Sequence, residues 1–177
     1  MKKFIIVSVA ILLPFISNAQ AAFDKYENMN DVSSMVITSK MFKLLSKIDF
    51  DSGDPETQQY LNLVENINDI RVFATESDAV SKKMKTDVEA HLKNTSMDEL
   101  MRVNSEGKNI RFYSKPGKSD DFVSELFMYL DGIEEGDEPK TVVLTITGNI
   151  DLRQISKLAN DLNIPGGKEL KNIEKRK

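Results

Sequence analysis

Four runs in the second half of the chain read LMRVN (residues 100–104), NIRFYSK (109–115), FVSELFMYL (122–130) and TVVLTIT (141–147). Each is short, rich in β-branched and aromatic residues, and bounded by turn formers, which is the pattern of a β-strand. The separators are Ser105-Glu106-Gly107-Lys108, Lys115-Pro116-Gly117-Lys118 and an acidic stretch over 131–139. Pro116-Gly117 predicts a type II turn, with proline presetting φ and Gly117 taking a positive φ. Connections this short join antiparallel neighbours, so the four runs predict a C-terminal four-strand meander.

Upstream, residues 32–38 (VSSMVIT) and 69–75 (DIRVFAT) read as two more strands, the first at a sheet edge. Between them, residues 40–48 place Met41, Leu44, Leu45 and Ile48 at helical spacing. A second helix starts at Asp54-Pro55-Glu56, with Asp54 as N-cap and proline in the first turn. Its buried side would carry Tyr60, Leu61, Val64 and Ile67. The loop over 49–56 resembles a calcium loop, but its Gly53 stands fifth rather than sixth, so it reads as a polar connection. Ser77 caps a long helix to about Lys93, with Val80, Met84, Val88, His91 and Leu92 on one stripe. Gly148-Asn149-Ile150-Asp151 is expected to open a last helix with Ile155, Leu158, Ala159 and Leu162 inward, ended by Pro165-Gly166-Gly167. The fold expected is α+β: an antiparallel-dominated sheet of five or six strands with helices on at least one face.

The chain begins Met1-Lys2-Lys3, continues through an apolar run from Phe4 to Ile16, and reaches Ser17-Asn18-Ala19-Gln20-Ala21. That order of charged, apolar and small residues is the grammar of a secretory signal peptide. Residues 1–21 are expected to be removed, by cleavage after Ala19 or after Ala21. The run is interrupted by Ser8 and Pro14 and falls short of the about 20 apolar residues that a spanning helix needs. No cysteine follows it, so no lipid anchor is expected. Residues 22–165 then form one globular domain and 166–177 a charged tail. The product is expected in the periplasm or outside the cell.

Composition prunes the chemistry. There is no cysteine and one histidine among 177 residues, which excludes cysteine nucleophiles, cysteine and three-histidine zinc sites, and iron–sulfur centres. Without Lys2 and Lys3 the 24 basic residues become 22 against 28 acidic ones, a net charge of −6. An acidic chain lacks the clustered cations that bind nucleic acid. No catalytic constellation, metal site or cofactor motif stands out. A serine triad would have to use His91.

Alternation in the strands supplies a binding candidate. Ile70, Val72 and Ala74 oppose Arg71, Phe73 and Thr75, and Ile110 and Phe112 oppose Arg111 and Tyr113. Phe122, Leu126, Met128 and Leu130 oppose Val123, Glu125, Phe127 and Tyr129. One face thus mixes Phe73, Tyr113, Phe127 and Tyr129 with Arg71, Arg111 and Glu125. Aromatics interleaved with arginine suit a contact surface, with Phe73, Arg111, Tyr113, Phe127 and Tyr129 as its candidate residues. The alternative is that a helix covers this face and makes it core.

The segments VITSKMF (36–42), DELMRV (98–103) and VVLTITGNIDL (142–152) resemble the bacterial family called domain of unknown function 4252, over roughly 23–162. The resemblance implies a small exported protein of Gram-negative envelopes, sometimes encoded beside sigma and anti-sigma regulators. It carries over no catalytic residues. The function expected is a non-enzymatic binding module of the envelope acting through a sheet face or edge; a periplasmic hydrolase or small-ligand binder is the alternative. Its partner and oligomeric state stay open.

Overall fold

The computed structural model describes residues 22–45, 61, 64–105, 107–119, 121–132 and 139–151. The expectations for the signal peptide with Ala19 and Ala21, for the 49–56 loop, for most of the second helix, for the last helix and for the tail fall outside these residues.

The chain runs through a 3-10 turn (Asp24–Tyr26), β1 (Ser33–Thr38), α1 (Ser39–Leu45), β2 (Ile67–Thr75), α2 (Asp78–Asn94), β3 (Asp98–Ser105), β4 (Lys108–Pro116), β5 (Phe122–Asp131) and β6 (Thr141–Asp151). All six strands form one antiparallel sheet in the order β1-β2-β6-β5-β4-β3. The meander β3 to β6 therefore returns to β2 in the middle. α2 carries the chain from β2 to the far edge, so it has to cross one face of the sheet.

The two faces hold two cores. The first contains Ile70, Phe112, Leu126, Met128, Leu144 and Ile146, joined by Phe42 of α1 and by Val64. The second contains Phe73, Tyr113, Phe127, Tyr129 and Val143 under Val80, Met84 and Val88 of α2, with Phe23 and Tyr26 from the lead-in. The expected α2 stripe is the buried one, His91 included. α1 differs: Phe42 is buried, while Met41 and Leu44 are 49% and 54% exposed. Periodicity gives the spacing of a stripe but not its phase. The phase here is set by the junction, because α1 starts at the residue after β1 ends.

Bulges modify the simple alternation at one end of the sheet. Register shifts fall between Ile67 and Asp69, Glu99 and Met101, Lys115 and Pro116, and Val123 and Glu125. An extra residue rotates the strand by half a period. Val123 therefore joins the first core with Leu126 instead of facing the other way with Glu125.

Two glycine expectations are corrected. Gly148 does not open a helix; β6 continues through it to Asp151. Its φ is +150°, and a Cβ there would lie 2.2 Å from the Asn66 carbonyl oxygen. That carbonyl accepts from the Asn149 N–H at 2.9 Å, so the glycine lets two backbones approach and the strand go on. Gly117 has no positive φ. It donates its N–H to the Phe122 carbonyl at 3.0 Å, and a Cβ would stand 2.7 Å from that oxygen. Close approach, rather than left-handed geometry, requires this glycine.

Gly148→Ala should lower stability by ~2–4 kcal/mol, since it adds a backbone clash to a conformation that L residues avoid. Gly107, with φ +78° and its nearest neighbour 3.5 Å from a built Cβ, is the comparison: Gly107→Ala should cost ~1–2 kcal/mol from the backbone alone. Urea unfolding of both variants measures the difference.

Candidate functional site

The aromatic face is where α2 lands. Phe73, Phe127, Tyr113 and Tyr129 are all buried in the second core, because a seventeen-residue helix crosses above them and its Val80–Met84–Val88–His91 stripe needs an apolar floor. Of the five candidate residues only Arg111 stays half-exposed; its Nε donates to Asn109 Oδ1 at 2.7 Å. Of the two readings of this face, the helix-covered one holds: α2 makes the aromatics interior.

Polar residues of this face lie at both ends of α2: Ser81 Oγ meets Thr141 Oγ1 at 2.6 Å near its start, and a larger group gathers near its end. His91 Nε2 lies 3.8 Å from Glu125 Oε1, with both side chains almost wholly buried. The imidazole packs 5.2 Å from the Phe127 ring and 5.4 Å, edge-on, from Phe23. Among the described residues Nε2 has no hydrogen-bond partner. Beside it, Asp69 accepts from Thr147 Oγ1 at 2.7 Å and from Arg71 Nε at 3.3 Å. Arg71 also reaches Asp24. These groups span β2, β5, β6, α2 and the lead-in, and they tie the layers together at the bulged end.

The lead-in is the part that sequence reasoning undervalued. Phe23 and Tyr26 are fully buried. The Tyr26 hydroxyl donates to Asp87 of α2, and Lys25 pairs with the same carboxylate at 2.6 Å. Two aromatics three residues apart in a polar segment were the available signal. Burial, and then the Asp87 carboxylate, push the Tyr26 phenol well above the ordinary value near 10; burial and Asp131 do the same for Tyr129.

Among the described residues a surface groove of about 530 Å³ is lined by Asn66, Asn68, Lys118, Ser124 and Asn149 among others. It sits at the bulged end and is polar, unlike the apolar cavity between helices and sheet that a buried small ligand would take. Among the described residues no three His, Asp or Glu side chains converge as a metal group.

The two sheet edges differ more than the two faces. β3 carries Asp98, Glu99 and Arg102, and Arg102 grips Glu99 through two hydrogen bonds of 3.0 and 2.7 Å. That grip holds the Glu99 carboxyl below its usual range. β1 (SSMVIT) has no charge at all. Beside it stand the exposed large hydrophobics among the described residues: Met35, Met41 and Leu44. Natural sheets protect a free edge with charge, proline or a bulge. β3 does so, and β1 does not.

Phe23→Ala should destabilise the protein by ~3–5 kcal/mol, the cost of emptying a core aromatic site, which a dispensable lead-in would not show. Tyr26 and Tyr129 have raised folded-state values, so their contribution is intact below pH 10 and declines as pH rises through those values. Of the four tyrosines, these two should give phenolate absorbance only as the protein unfolds. Tyr26→Phe, losing the bond to Asp87, should cost ~1–2 kcal/mol and flatten the alkaline fall in Tm.

The family described as Domain of unknown function (DUF4252) matches residues 26–158, a span that contains the β1–α1, β3 and β6 segments. No curated protein and no solved structure shows a significant match. Because that span starts in the buried lead-in and takes in the whole sheet, the chain belongs to the DUF4252 family.

Proposed function

We propose that this chain is an exported, non-enzymatic binding module of the bacterial cell envelope, periplasmic or secreted, that engages a protein through the open edge of β1. The observation that carries the reading is the pairing of an uncharged outer strand with exposed Met35, Met41 and Leu44, the first of them 43% exposed. An edge strand offers a row of backbone donors and acceptors to an incoming strand, and neighbouring apolar side chains supply the desolvated contact. The signal-like N-terminus supports export. The burial of the aromatic face supports an edge rather than a face as the contact in this reading. Among the described residues no helix is long and apolar enough to cross a membrane.

Two measurements test this. Fractionation of cells expressing the chain from its own gene, with N-terminal sequencing of the product, should find it outside the cytoplasm and starting at Gln20 or Ala22; recovery of an intact Met1 form in the cytoplasm overturns export. Met35→Lys places a charge on the edge without touching either core. It should reduce cross-linking to envelope proteins at least tenfold with Tm unchanged, and unchanged cross-linking overturns the role of the edge.

A further inference from the structure

We infer that Arg111, flanked by Tyr129 on one side and Arg102 on the other, is a binding site for a single carboxylate group. The site lies toward the β3 edge, away from β1, and stands whether or not β1 engages a protein.

Strand register builds it. Arg102 pairs with Arg111, Arg111 with Tyr129, and Tyr129 with Val143, so these residues form one row across the sheet. Tyr129 and Val143 belong to the second core. Met101, Val103, Ile110 and Phe112 belong to or pack on the first, which puts Arg102 and Arg111 on the α2 face by alternation. Cover runs out along the row. Tyr129 is 3% exposed, Arg111 is half-exposed and the Arg102 side chain is 49% exposed. The two guanidiniums emerge side by side at the margin of the second core.

Charge leaves one cation over. Arg102 is engaged by Glu99. Asp131 stands in register with Asn109 and accepts from Lys85 at 3.0 Å. Arg111 donates its Nε to a neutral acceptor, Asn109 Oδ1, and Asn109 in turn donates to Asn104. Among the described residues no carboxylate stands in ion-pair contact with Arg111. The amide chain fixes the guanidinium by its Nε edge and leaves its two terminal nitrogens to meet a ligand end-on. Two parallel N–H donors match the two oxygens of a carboxylate.

The Tyr129 hydroxyl marks the same place. It is buried and, among the described residues, has no hydrogen-bond partner, a condition that costs a buried donor its solvation. Burial leads in lifting this phenol; of the nearby charges, Asp131 and Glu89 lift it further and Arg111 opposes them. The hydroxyl therefore lies within the field of the Arg111 guanidinium, and an oxygen bound there gives it an acceptor. One uncompensated positive charge suits a monoanion. A phosphate dianion would bring its second charge among Glu99, Asp131 and Glu89, where like charges repel. A free small acid and the end of a peptide chain present the same carboxylate, and the probes below separate them.

Isothermal titration calorimetry at low salt tests the site with acetate, N-acetyl-alanyl-alanine, the amide of that dipeptide, and inorganic phosphate. The carboxylates should bind, and the amide should bind about tenfold or more weakly than the dipeptide acid. Arg111→Gln should lose affinity for the acid by the same factor. Tyr129→Phe should weaken binding about threefold or more without lowering Tm, because the hydroxyl it removes is unpartnered in the free protein. A merely structural role would move Tm and leave affinity alone. Dipeptide acid binding more tightly than acetate assigns a chain end as the source, and equal affinity assigns a free small acid; either supports the site. Absence of binding, equal binding of acid and amide, wild-type affinity in Arg111→Gln or Tyr129→Phe, or phosphate binding more tightly than either carboxylate overturns it. Binding that appears only in Glu89→Gln gives the site to the chain's own carboxylate and overturns it as well.

Discussion

β5 is apolar on both sides, and β6 is apolar on one side with Val143 among threonines on the other, so both faces of this pair have to be covered. Leu126, Met128 and Leu130 alternate with Phe127 and Tyr129 along β5, and Val142, Leu144 and Ile146 alternate with Val143 along β6, all of them buried. Leaving either face in water would expose several large side chains, at ~1.5–3 kcal/mol each. The position of β6 between β2 and β5 puts this two-sided pair at the centre. Everything else is arranged to seal it: α1 and Val64 on one face, α2 and the lead-in on the other.

Sealing the second face with α2 brings polar groups inside. The sheet floor ends in Asp69, Thr147 and Glu125, and the helix stripe ends in His91. A burial that leaves such groups unpaired is costly, and most here are engaged, through Arg71, Thr147 and the lead-in. Among the described residues His91 Nε2 is the exception at this end. The lead-in is part of this seal, because Tyr26 and Lys25 converge on Asp87 of α2 while Phe23 packs against both His91 and Phe127.

Among the described residues the sheet has one rim carrying charge, β3, and one uncharged rim, β1. On β3 the charges satisfy each other through Glu99 and Arg102; on β1 the charges lie only in the flanks, acidic on one side and basic on the other.

The amino-acid sequence by itself determined the strands, the long helix and its inward stripe, because those follow from local periodicity and turn chemistry. Family membership was also legible, in the β1–α1, β3 and β6 segments. Tertiary structure alone decided four things. Whether Phe73, Tyr113, Phe127 and Tyr129 face water depends on which face α2 crosses, and the strand alternation is the same either way. The phase of α1, which buries Phe42 and exposes Met41 and Leu44, depends on its junction with β1. The continuation of β6 through Gly148 depends on the Asn66 carbonyl, some eighty residues away along the chain. The status of β1 as the unguarded edge depends on strand order, a property of non-local pairing that no window of sequence contains.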